Sequence, residues 1–199
     1  MTQLSSPTSE PEPSLIRLGN AFRENPFDFF KETDATCFLY NELKLAFPGR
    51  VPVAMANGIE QFRAFQDPRR MTCGRVHTEI KGGGDDGPVD LVVLEDRRQI
   101  VHPKSNRMVG KFEPPFQIGI ELKLAYGSRS SRFSGIPSGR GLSADIVKLA
   151  CLRDVFSHRY VVVVDFFEGR RLTELKQEVM AKGVPVFYAG LDRYEMILP

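Results

Sequence analysis

The sequence predicts an α/β domain with a mixed central β-sheet flanked by helices. Three observations carry that expectation. Two apolar runs, 91–94 and 118–124, are separated by a polar excursion, as in strands that pair antiparallel. A third run, 160–167, is almost continuously apolar, as strands covered on both faces are. Between the second and third runs lies a segment with helical periodicity, which permits a parallel, right-handed crossover.

The chain has 199 residues, 42% hydrophobic and 26% charged, enough for one domain with a substantial core. The formal net charge is only +2, so any surface for nucleic acid must be local. Cys37, Cys73 and Cys151 form no Cys-x-x-Cys, and His77, His102 and His158 are scattered. The cysteines read as buried thiols in a reducing compartment, neither a disulfide frame nor a zinc site. No basic segment precedes an apolar core at the amino terminus, and the longest apolar run is too short to span a bilayer and contains Asp165. The expectation is a soluble, cytoplasmic protein without a membrane partner.

Residues 1–14, rich in Ser, Thr, Pro and Glu, are expected to be a disordered tail before a single domain over 15–199. A short helix is expected over 15–22. A stronger one runs over 34–47, where Phe38, Leu39, Leu43, Ala46 and Phe47 recur at helical spacing. Thr33 or Asp34 is placed to cap it, and Pro48-Gly49 stops it. A further short helix is expected over 58–67, with Ile59, Phe62 and Phe65 on its apolar side, and a first strand over 71–80. The glycine-rich turn 81–87 carries Asp85 and Asp86 without calcium-loop spacing, and it lacks the Gly-Lys-Ser/Thr of a phosphate loop.

A second strand covers 89–95. The excursion 96–115 carries Arg97, Arg98, Lys104, Arg107 and Lys111, and its apolar pairs Ile100-Val101 and Met108-Val109 would lengthen the hairpin with the third strand, 117–125. The segment 126–140 is Gly- and Ser-rich, with Arg129, Arg132 and Arg140 and no acid. It reads as a solvated loop or as an arm that meets phosphates. A helix over 142–156, with Ser143 as cap and Asp145 in its first turn, lies on the sheet. A fourth strand, 160–166, a helix over 172–181 ended by Gly183, a fifth strand, 184–188, and an edge strand, 194–198, complete the order.

Within this frame one strand carries an anomaly. At period two, Ile118, Ile120, Leu122 and Leu124 share one face of the third strand, and Gly119, Glu121, Lys123 and Ala125 share the other. A charged pair inside an apolar strand costs several kcal/mol if buried unpaired, so it is solvated or has a task. Asp90 opens the preceding strand and would complete an Asp, Glu, Lys cluster across the hairpin.

Asp90 followed by Glu121-Leu122-Lys123 on the next strand resembles the PD-(D/E)XK nuclease superfamily, the restriction-endonuclease-like fold. The Glu-x-Lys half matches in full. The Pro-Asp half departs from the pattern, because Val89 stands between Pro88 and Asp90. The resemblance implies an αβββαβ core from about Asp34 to Phe167, with extra α and β elements around it. It implies a Mg²⁺- or Mn²⁺-dependent nuclease acting on nucleic acid, DNA foremost. Asp90, Glu121 and the backbone carbonyl of Leu122 would be metal ligands, and Lys123 would orient or deprotonate the attacking water. Two further residues are carried over from the family's helices. Glu42 stands for the first-helix glutamate, its ordinary reading being a partly solvated helix residue. Lys148 stands for the lysine near the substrate phosphate, its ordinary reading being a solvated lysine. Arg129, Arg132 and Arg140 would contact nucleic acid. A homodimer is compatible with this reading. Two other classes stay open: an inactive nucleic-acid-binding relative or subunit of a larger DNA-processing complex, and an unrelated α/β protein-interaction domain in which Glu121 and Lys123 are a structural ion pair.

Overall fold

The computed structural model describes residues 11–55, 72–81, 87–104, 107–125, 142–166 and 172–199. The helix expected over 58–67, the central part of the glycine turn and the loop bearing Arg129, Arg132 and Arg140 lie outside them.

Helix α1 (Glu12–Glu24) begins inside the segment expected to be a tail. Pro13 sits in its first turn, where a missing N–H leaves no helix bond unmade, and Ser14, Leu15, Leu18 and Phe22 are buried. A 3-10 turn, Pro26–Asp28, leads to α2 (Glu32–Ala46). This helix starts ahead of the expected cap, and Asp34 caps from within its first turn by accepting the Lys31 N–H at 2.8 Å. The strands that follow are β1 (Arg50–Met55), β2 (Thr72–Gly74), β3 (Val76–Lys81), β4 (Pro88–Val93), β5 (Gln99–Lys104), β6 (Arg107–Phe112) and β7 (Phe116–Ala125). Then come α3 (Leu142–Cys151), β8 (Phe156–Asp165), α4 (Leu172–Lys182), β9 (Val186–Gly190) and β10 (Tyr194–Ile197). Helix α3 ends earlier, and β8 starts earlier, than their periodicity suggests.

The main sheet has six strands in the order β10-β9-β8-β7-β4-β3. Strands β3, β4 and β7 form an antiparallel meander, and β7, β8 and β9 run parallel through the crossover helices α3 and α4. The α/β class with a mixed sheet flanked by helices therefore holds. Both faces of the sheet are buried. Leu91, Val93, Ile118, Ile120, Leu122 and Leu124 pack with Leu15, Leu18 and Phe22 of α1 and Leu39 and Leu43 of α2. Val92, Val161, Val163 and Val186 pack on the opposite face with Ile146 and Leu149 of α3 and Leu175 and Val179 of α4. Each such fully buried aliphatic side chain contributes about 1.5–3 kcal/mol relative to exposure, which is why β8, central and apolar on both sides, anchors the layers.

The excursion behaves differently from the expected hairpin extension. Strands β5 and β6 form their own antiparallel hairpin, and β5 pairs parallel with β1, giving a second, four-stranded sheet in the order β2-β1-β5-β6. The cysteines also depart from expectation: Cys37 and Cys151 are exposed and Cys73 is half-buried. Among the described residues no helix is long and apolar enough to cross a membrane.

Candidate active site

The ladder between β4 and β7 ends at Leu91↔Ile120, and the next residues on the two strands, Asp90 and Glu121, share the sheet face that α3 covers. The strands part at this point. The Leu122 N–H donates to Asp90 Oδ2 at 2.8 Å. In an extended strand a residue's N–H and C=O point to the same side, so the Leu122 carbonyl faces this side too. The other edge of β4 is also irregular there. Strand β3 pairs Thr78 with Leu91 and Ile80 with Val89, and between them Glu79 sits at a φ of 53°, a left-handed conformation costly for a residue with a side chain.

Helix α3 brings two more charges over the face. Lys148 contacts Glu121 Oε1 as an ion pair and donates to the Pro88 carbonyl at 2.8 Å, binding α3 to the mouth of the β4–β7 pair. Its side chain is only 13% exposed, so the solvated-lysine reading is corrected. Asp145 Oδ2 lies 3.3 Å from Lys123 Nζ, and Glu32, at the start of α2, lies 3.5 Å from the same ammonium. Glu42 is placed elsewhere. It pairs with Arg17 of α1, and the α2 acid that reaches the cluster is Glu32.

The electrostatics follow from burial. Glu121 is buried, and desolvation, reinforced by the facing Asp90 charge and relieved in part by Lys148, pushes its carboxyl up to about 8. Asp145 is also raised, chiefly by desolvation, with the two lysines opposing. For Lys123, burial pulls downward, but Asp145, Glu32 and Asp90 together outweigh it and the pKa is raised, so the group is an ammonium at neutral pH. Glu121 Oε1 and Asp145 Oδ2 are buried against these ammoniums, Lys148 and Lys123 respectively.

Four carboxylates, Asp90, Glu121, Asp145 and Glu32, thus gather around two ammoniums, Lys123 and Lys148, a formal excess of two negative charges. With Glu121 protonated, as its raised pKa makes it at neutral pH, the excess is one; a cation that displaces this proton meets two. Among the described residues no three His, Cys, Asp or Glu side chains converge as a ready metal cage. A site of two carboxylates and a carbonyl suits magnesium, which keeps several waters and takes few protein ligands.

The chain matches no protein-family model, curated protein or solved structure. The reading of the site therefore rests on its own residues and on the topology that assembles them.

Asp145 and Glu32 were not singled out by sequence reasoning. Asp145 did leave a trace, because it falls within the buried stripe Leu142, Ile146 and Leu149 of α3, where a carboxylate needs a partner. Glu32 left none, since its place beside Lys123 is set only by how α2 docks on the sheet.

Proposed function

We propose that this protein is a metal-dependent nuclease that hydrolyses phosphodiester bonds of nucleic acid, DNA foremost, in the cytoplasm. The observation that carries the reading is the gathering of Asp90 and Glu121 just beyond the last rung of the β4–β7 ladder, with Asp90 accepting the Leu122 N–H and Lys123 on the same face. The resemblance to the PD-(D/E)XK superfamily agrees with this arrangement, as does the meander followed by a parallel strand.

Asp90, Glu121 and the Leu122 carbonyl would hold the cation. When bound, Mg²⁺ or Mn²⁺ supplies Lewis-acid polarisation of a phosphate oxygen and a water of lowered pKa. Lys123, held charged by three carboxylates, offsets the negative charge that develops on the phosphate in the transition state and orients the attacking water. It acts as a cation rather than as the base. Lys148 positions the Glu121 carboxylate through their ion pair and joins helix α3 to the site.

The test is cleavage of plasmid, linear duplex and single-stranded substrates with and without Mg²⁺ or Mn²⁺. Asp90→Asn and Glu121→Gln are expected to abolish metal-dependent cleavage. Lys123→Ala should do the same while leaving most metal binding. Activity indifferent to all three substitutions would refute the assignment. The Glu121–Lys148 ion pair favours a second reading, an inactive relative in which Lys148 permanently replaces the cation; nucleic-acid binding without any cleavage by the wild type would select it.

A further inference from the structure

At the β3 edge of the six-stranded sheet a cleft of about 430 Å³ opens between the last turn of α2, the start of β1 and the junction of β2 with β3. Three cations line it, and each is held in place by neutral groups. Lys44 Nζ stands 5.2 Å from the centre of the Tyr40 ring, and the Arg75 guanidinium lies 5.6 Å over Phe47. Arg75 also donates to the Leu94 carbonyl at 3.2 Å and to Gln117. Arg50 donates to the Thr72 hydroxyl at 2.8 Å and to the Thr72 carbonyl at 2.6 Å. Among the described residues no carboxylate lines the cleft or pairs with any of the three. His77, at the cleft wall, has its pKa lowered by burial, with its bond to the Gly74 carbonyl opposing, and adds a neutral ring.

The carboxyl end of α2 explains one of these charges, since a lysine in a last turn complements the helix dipole. It does not explain Arg50 and Arg75, which come from β1 and from the residue before β3. Like charges converging on a concavity repel unless an anion joins them. The aromatic and backbone supports fix the cations beforehand, which lowers the ordering cost of binding. Cations interleaved with aromatic rings are the composition of surfaces that track a nucleic-acid strand. The cleft lies on the α2 side of the sheet beside Val76, whose partner on β4 is Val93, whereas Asp90 and Glu121 lie on the side that α3 covers.

We infer that this cleft binds a backbone phosphate of a nucleic-acid strand at a point separate from the proposed scissile bond. The inference deepens the nuclease reading and rests on it for what carries the phosphate. Lys44 and Arg50 are exposed, so Lys44→Gln/Arg50→Gln should fold, as a melting curve will verify. Arg153→Gln/Lys182→Gln removes the same charge at exposed positions elsewhere. Anisotropy of labelled single-stranded and duplex oligonucleotides in EDTA, over a range of salt, reads the contacts. The cleft variant should lower the slope of log Kd against log salt by about one unit per lost contact, and the control variant should leave it unchanged. Equal slopes in the two variants overturn the proposal. Displacement of the oligonucleotide by equal concentrations of inorganic phosphate or a mononucleotide also overturns it, because the cleft would then serve a free phosphate. Cleavage assays on the same proteins keep the two readings apart. Binding that depends on Lys44 and Arg50 without cleavage leaves the cleft standing and removes the hydrolase; cleavage with an unchanged slope does the reverse; neither binding nor cleavage removes both.

Discussion

Glu121 is the residue where burial and charge conflict most. Its ordinary carboxyl value is 4.5 and the folded value is about 8. Between those values the folded protein holds a proton that the unfolded chain has released. Stability is therefore greatest below about pH 4.5 as far as this group is concerned, and falls as pH rises towards 8, by up to about 1.4 kcal/mol per pH unit. Asp145, also raised, adds to the same sign. Urea denaturation in the absence of divalent cations between pH 5 and pH 8 should show wild-type stability declining, and Glu121→Gln should flatten the decline. A wild type whose stability is level or rising across that window, with a variant that parallels it, would contradict the raised pKa of the buried Glu121 carboxyl.

At the scale of elements, the site depends on how closely β7 and β8 approach. A methyl group on Gly119 would meet three atoms of the Phe156 ring at 2.9 Å, a distance that side chains do not tolerate. Glycine is needed there so that the ring can pack beside the strand that carries Glu121. Gly119→Ala should cost about 1–3 kcal/mol in urea denaturation through displacement of the ring or the strand. A loss below about 0.5 kcal/mol would mean that Phe156 swings aside freely. The glycine was visible in the sequence, but its reason was not, because the ring comes from a strand in parallel register, Gly119↔Arg159, beyond a helix. The meander and the parallel pair were legible, since period-two alternation and a continuous apolar run report directly on one-sided and two-sided burial. Strand β1 was not: it is short, contains Pro52, and is defined by partners, β2 and β5, far along the chain. Helix α1 was legible over 15–22, but its first turn was hidden because Pro11, Glu12 and Pro13 resemble a solvated tail, while Ser14 is buried only when α1 packs on α2 and β9.

The modest net charge of +2 conceals a separation among the described residues, with carboxylates in excess under α3 and cations without a carboxylate partner at the β3 edge. Of the candidate site, Asp90, Glu121 and Lys123 could be read from strand pattern, and Lys148 from helix placement. The acids that complete the charge balance, Asp145 and Glu32, come from tertiary docking. That balance yields a measurement independent of catalysis. A ligand that binds only the folded state stabilises it by about 2.7 kcal/mol at a hundredfold excess over Kd, equivalent to roughly 5–10 °C for a chain of this size. Magnesium should therefore raise the wild-type melting temperature, beyond the effect of sodium chloride at equal ionic strength. The rise should be larger at pH 8.5 than at pH 6, because at the lower pH the cation must displace the proton held by Glu121. Asp90→Asn and Glu121→Gln should remove most of the shift, and Lys123→Ala should retain it, since that ammonium opposes rather than ligates a cation. A shift that survives Asp90→Asn and Glu121→Gln would place the cation elsewhere; no shift in the wild type at millimolar magnesium or manganese would leave the carboxylate excess to protonation and solvent, and the metal-dependent reading would fall.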